Sequence, residues 1–355
     1  MKIMLVGWTR PQDIATQFGD ALEKQGHEVI RISSTLVPPN QSGKFTKHIL
    51  SDWTITMPAK QKVNTIARVQ QCLFRVPLQY YSVKYKPDCM IPITSRMLFD
   101  ITNVKCPTYY YQTEIQQEVL PYSNGNSNMV GFLYAYPSAY ETMKNPFVYE
   151  FNHMSIRDFF PYGINPTLFT TDKSFSERSI RIGFMGNTAG QCYQNREQYI
   201  NLVKSAYGFQ QSGFRPFPAY VQFMQDCKIA FNVGCNTGEL NIRQFEALAA
   251  GCCLLQKNYP QLPELGYHDY ENCLLFGTPQ ELKDKLTWID DHMADCERIA
   301  ENGKQLVKLH SWDARATHFL TTIQHTERSV EVSQNIREIT CLEQEMEKVW
   351  LNAVL

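Results

Sequence analysis

Two α/β domains, each built on a parallel sheet, are what the sequence predicts, and three features predict them. The first residues alternate strand, helix and strand. The same alternation returns after residue 180. A length of 355 residues is enough for two domains that each bury a core.

Taken in order, Ile3–Val6 is an apolar run of strand length, and Gly7-Trp8-Thr9-Arg10-Pro11 makes the turn. Ile14, Ala15, Phe18, Ala21 and Leu22 fall on one helical face, with Pro11 before the helix and Gly26 after it. Val29–Ile32 completes a βαβ unit, so a parallel sheet is expected. The opening lacks Gly-x-Gly-x-x-Gly and with it the glycines that admit a pyrophosphate to the first turn, which disfavours a dinucleotide-binding dehydrogenase. Residues 34–88 give a polar loop around Pro38–Gly43 and a helix from Lys60 to Phe74. Strands follow at Cys89–Ile93, Thr108–Tyr111 and Val130–Ala135, and a helix at Ser138–Met143.

Residues 1–169 form the first expected domain. Residues 170–179 are polar and are expected to be the linker, and residues 180–326 form the second domain. There the strand Ile180–Met185 runs into the small-residue turn Gly186–Gly190 and a helix carrying Arg196, Tyr199, Ile200, Leu202 and Val203. Lys228–Val233 is the next strand. Asn241 to Gly251 reads as a helix ending on glycine, followed by a buried strand through Gln256. Thr278-Pro279-Gln280-Glu281 has capping-box spacing, with Leu282, Leu286 and Ile289 as the buried face. Ile336, Ile339, Leu342, Met346 and Val349 lie at helical spacing. They predict a C-terminal helix within residues 327–355 that packs back on the first domain or forms a homodimer.

Composition narrows the function. No apolar run reaches the ~18 residues of a membrane span, and Arg10 and Asp13 interrupt any signal-peptide core, so a cytoplasmic protein is expected. Eleven cysteines are scattered without Cys-x-x-Cys, and the eight histidines show no metal-ligand spacing, so free thiols and no structural metal are expected. Residues 1–165 hold 16 Lys/Arg against 12 Asp/Glu, and the rest hold 18 against 23. Between residues 31 and 105 the bias is 11 to 3, with Lys60, Lys62 and Arg68 among the basic residues and Trp53, Phe74, Tyr80, Tyr81 and Tyr85 interleaved. A solvated basic surface is the default explanation of this pattern, and an anionic acceptor is the alternative with functional content.

The residues with the most chemical content begin the Asn241 helix. Helix N-termini at the carboxyl ends of parallel strands favour phosphate. Arg243 can hold a diphosphate there, and Glu246 can accept both hydroxyls of a ribose. Asn241 belongs to the same turn. Gly186 and Asn187 offer backbone donors at the earlier strand-to-helix turn, with Arg196 near them.

Phe245-Glu246-Ala247-Leu248-Ala249-Ala250-Gly251, the Phe159–Phe169 segment and His310-Ser311-Trp312-Asp313-Ala314-Arg315 together resemble the GT-B glycosyltransferases. The likeness is strongest to the group similar to the spore-maturation protein CgeB, and covers residues 159–320. It implies two Rossmann-like domains facing across a cleft, with a nucleotide sugar as cosubstrate rather than a bound cofactor. The donor, expected to be a UDP-sugar, is held by Gly186, Asn187, Arg196, Asn241, Arg243 and Glu246, with Gly7 and Glu239 as further donor-site candidates. Glu239 and Glu246 have six residues between them, one fewer than the paired glutamates of many retaining members.

Glu114 and Asp13 are the candidate acceptor bases, and Lys60, Lys62 and Arg68 the candidate acceptor contacts. The acceptor is a glycan, a lipid or nucleic acid, including a modified DNA base. No Asp-x-Asp occurs, which fits a metal-independent transfer. A UDP-sugar 2-epimerase and a non-catalytic binding subunit are the alternatives.

Overall fold

A computed structural model of the chain describes residues 1–10, 12–39, 44–49, 53–58, 78–94, 104–113, 129–135, 156–186, 194–205, 208–213, 216–234 and 240–324. The chain divides into two compact units, Met1–Pro161 with Ala316–Leu355, and Tyr162–Arg315.

In the first unit, β1 (Lys2–Gly7), β2 (Glu28–Pro39), β5 (Cys89–Thr94), β6 (Thr108–Gln112), β7 (Met129–Tyr134) and β8 (Ile156–Phe159) form a parallel array in the order β2-β1-β5-β6-β7-β8. Ile3, Met4, Leu5 and Val6 are all fully buried, as expected of a strand covered on both faces. Helix α1 (Ile14–Lys24) lays Ala15, Phe18, Ala21 and Leu22 on the sheet. Two further strands that the sequence reading did not anticipate, β3 (Lys44–Ile49) and β4 (Trp53–Pro58), extend the sheet antiparallel beyond β2. The expected parallel sheet is present, and these two strands add an antiparallel extension at its edge. The expected helices at 60–74, 138–143 and 327–355 lie outside the described residues.

The second unit carries β9 (Ile180–Met185), β10 (Phe209–Ser212), β11 (Cys227–Asn232), β12 (Cys253–Lys257) and β13 (Leu274–Phe276), all parallel, in the order β10-β9-β11-β12-β13. The helices are α2 (Gln194–Val203), α3 (Phe217–Asp226), α4 (Ile242–Ala249), α5 (Pro279–Asp291) and α6 (Met293–Lys308). Phe184, Phe231 and Phe276 run through its core with Ile229, Leu255 and Leu274. The polar stretch 170–179 belongs to this unit and contributes buried Phe175 and Arg178. The Arg178 guanidinium donates to the carbonyls of Cys227 (2.9 Å) and Ala250 (2.8 Å).

Helix α7 (Trp312–Gln324) is shared between the units. Trp312 is buried against Gly163, where a Cβ would come within 2.5 Å of its ring. Phe319 packs in the first unit, its ring 5.8 Å from Phe18 and 5.4 Å from Tyr109.

Candidate functional site

The site begins where β9, β11 and β12 end. Phe184, fully buried in β9, has the Arg243 guanidinium 5.6 Å from its ring centroid and the Arg196 guanidinium 5.9 Å from it. Two positive groups thus share one aromatic ring in a low-dielectric setting. Arg196 is almost wholly buried, and its Nε donates to the Gly234 carbonyl at 3.1 Å, which ties α2 to the end of β11. Arg243 lies against Gly186, where an added Cβ would stand 3.1 Å from the guanidinium. The glycine lets the arginine reach across the end of β9.

Helix α4 is positioned by its own start. The Asn241 side-chain oxygen accepts from Arg243 N at 3.0 Å and from Asn232 Nδ2 at 3.2 Å. Asn232, at the end of β11, also donates to Gln256 Oε1 at 2.7 Å, and its oxygen accepts from Arg243 Nη1 at 3.3 Å. Two strand ends and a helix start are therefore joined by side-chain amides around Arg243. The Asn241 Nδ2 is buried and has no partner among the described residues. At its other end α4 stops at Gly251, whose φ of +71° suits glycine, with Cys252 N donating to Ala247 O at 2.9 Å.

Glu246 lies one turn beyond Arg243 and is 9% exposed. The Tyr220 hydroxyl, from α3, donates to its Oε2. Burial pushes the Glu246 carboxyl up to about 7, against the pull of the Tyr220 hydrogen bond and the Arg243 charge. Burial and the neighbouring carboxylate also raise the Tyr220 phenol well above its ordinary value, so it stays a donor. On the far side of the sheet edge Lys257 donates to Tyr199 Oη (2.8 Å) and the Gly277 carbonyl (3.0 Å).

The structure therefore brings together Gly186, Arg196, Asn241, Arg243 and Glu246. Asn187 and Glu239 lie outside the described residues, as do Glu114, Lys60, Lys62 and Arg68. In the first unit Gly7 ends β1 beside Ala15 and Ile93. Asp13 precedes α1, and both of its carboxylate oxygens accept from the Arg10 guanidinium, at 2.9 and 3.0 Å.

His310 and Arg315 are also buried. Nδ1 of His310 faces Arg315 Nη2 at 2.6 Å and its Nε2 faces the Leu265 carbonyl at 2.8 Å. Burial and the arginine lower the imidazole to about 4, so it is neutral, accepting from Arg315 and donating to Leu265. This element braces the second unit.

Tyr220, Phe184 and Asn232 are site residues that sequence reasoning missed. A signal existed for Tyr220: Pro216 and Pro218 open a segment in which Phe217, Tyr220, Val221 and Met224 recur at helical spacing. Among the described residues no group of three or more His, Cys, Asp or Glu is placed to hold a metal, and no helix is long and apolar enough to cross a membrane.

Residues 175–321 match the family described as glycosyl transferase-like. No curated protein sequence matches the chain. Sucrose-phosphate synthase from Thermosynechococcus elongatus is similar in structure at 12% identity, over 92% of this chain and 98% of that one, with a TM-score of 0.60. HepE from Anabaena, solved in complex with UDP-glucose, is also 12% identical, over 92% of this chain and 100% of that one, with a TM-score of 0.53. A glycosyltransferase from Rickettsia africae gives 10% identity, 91% and 98% coverage, and a TM-score of 0.54. At such identities the structural likeness is one of fold, and the family match is confined to residues 175–321. The chain therefore has the two-sheet α/β fold of these glycosyltransferases, and its residues 175–321 form a glycosyl transferase-like domain.

Proposed function

We propose that the enzyme transfers a sugar from a UDP-sugar to an acceptor hydroxyl, with the donor held by the second unit. The observation that carries this is the pairing of two guanidinium groups around Phe184 with a buried carboxylate one turn further along α4. Breaking a glycosyl–phosphate bond leaves negative charge on the departing diphosphate. Arg243 and Arg196 are assigned to that charge, with the unpartnered Asn241 amide and the turn after Gly186 as further donors. These are fixed cations and dipoles, so the leaving group is stabilised without a metal in this proposal. Glu246 accepts from the ribose hydroxyls. HepE, solved with UDP-glucose, supports UDP as the nucleotide.

For the acceptor, the basic residues of the first 165, Lys60, Lys62 and Arg68 among them, support an anionic compound. Glu114 is the proposed base, because both Asp13 oxygens are engaged by Arg10.

The test is UDP release from a panel of UDP-sugars, with and without glycan, phospholipid and DNA acceptors. Wild type is expected to turn over one donor, and Glu246→Ala to lose that turnover. Conversion of a UDP-sugar to its epimer without UDP release would replace transfer with epimerisation.

A further inference from the structure

Glu246 is held by a residue from a different helix, and the chemistry of that contact goes further than ribose recognition alone. A carboxylate that is to accept two vicinal hydroxyls must be ionised, and it must be turned so that free lone pairs face the ligand. A glutamate on an isolated helix meets neither condition by itself, because its terminal torsion is broad and burial favours the neutral acid.

We infer that Tyr220 is a positioning residue for the donor site: by donating to Oε2 of Glu246 it fixes the carboxylate's orientation and favours its ionised form for the nucleotide ribose. This rests on the donor-site proposal above.

The contact has the attributes such a role requires. Tyr220 lies on α3, 26 residues before Glu246, so the pairing is tertiary and is not a by-product of helix geometry. Its ring is set edge-on to Phe169 (6.2 Å, 89°) and lies beside Phe217 (6.5 Å, 32°), which aims the hydroxyl. Using one lone pair of Oε2 leaves Oε1 and the second lone pair of Oε2 for a diol. A phenol remains protonated throughout the neutral range, so the donation to Glu246 does not switch off.

The charged and titratable groups around the carboxylate are few. Among the described residues they are Tyr220 from α3, Arg243 on α4 itself and, against Tyr220, the Cys252 thiol, which burial raises to about 11 and so keeps neutral. Arg178, whose guanidinium donates to Cys252 Sγ at 3.8 Å, and Lys304 on α6 face Cys252, and the short turn Pro166–Leu168 beside α4 brings no titratable group. With Tyr220 and Arg243 both favouring the ionised form against burial, removing the phenolic donor moves the Glu246 titration upward.

The experiment is UDP affinity by calorimetry from pH ~6 to ~9 for wild type, Tyr220→Phe and Glu246→Gln, taking the ratio to wild type at each pH so that the nucleotide's own ionisation cancels. Tyr220→Phe keeps the ring that packs on Phe169, and near-wild-type circular dichroism is expected. Its affinity should fall ~10-fold near pH ~7, with the gap narrowing several-fold by pH ~9 as Glu246 ionises without help. Glu246→Gln, which cannot ionise, should show a loss relative to wild type that grows with pH, the opposite trend.

A gap for Tyr220→Phe that is the same at every pH would mean that the tyrosine only packs, and would overturn the inference, as would no gap at all. Absence of UDP binding by wild type at any pH would overturn the donor-site proposal and this inference with it. UDP binding that Glu246→Gln leaves intact at every pH would reject the ribose role for Glu246 while sparing the diphosphate assignment.

Discussion

Glu246 shows how function at a single residue is set against stability. Its carboxyl is raised from the model-peptide range to about 7 in the folded protein, so the folded state binds the proton more tightly than the unfolded chain does. The associated stability is present at acid pH and is lost as pH rises from the unfolded value through ~7. Glutamine does not ionise, so Glu246→Gln is expected to stabilise the nucleotide-free protein at pH ~8 by on the order of 3 kcal/mol, seen as a raised thermal midpoint, with little effect at pH ~5. Paired thermal scans at the two pH values check this. The same change is expected to weaken UDP binding, and a site that gains stability on losing its ligand is the trade expected of a functional carboxylate. The grouping of Arg243 with Asn241 and Glu246 was legible in the sequence because the three lie within six residues of one another at a helix start. Tyr220 was not, because its partner is 26 residues away and only tertiary packing brings them together.

Among the elements, the helices with complete end signals are the ones the sequence defines best. Thr278 accepts from Glu281 N at 3.2 Å and Glu281 reaches back to Gly277 N at 2.6 Å, so α5 begins at the predicted place. Thr278→Ala is expected to destabilise the protein by about 1 kcal/mol without changing UDP affinity, read as a shift in denaturant midpoint. Helix α4 likewise begins at Asn241 and stops at Gly251, both visible in the sequence. Strands β3 and β4 were illegible for a physical reason. Their order is fixed by pairing on the edge of β2, and neither carries the long apolar run of a strand buried on both faces. The linker expected at residues 170–179 rested on polarity, yet Phe175 is buried, and Arg178 is buried with its charge satisfied by two carbonyls.

For the whole molecule, charge is unevenly spread along the chain. The first 165 residues are net basic and the remainder net acidic, yet the proposed diphosphate site lies in the acidic part and uses buried Arg196 and half-buried Arg243. Local placement of cations, and not net charge, is therefore what equips the second unit for an anion. The central claim is that Arg243 and Glu246 form a UDP site, and calorimetric titration of UDP into wild type, Arg243→Ala and Glu246→Ala tests it most directly. The account predicts saturable binding to wild type and a loss of ~10-fold or more in each variant, since each removes charge-assisted hydrogen bonds. No binding to wild type, or equal affinity in all three proteins, would contradict it.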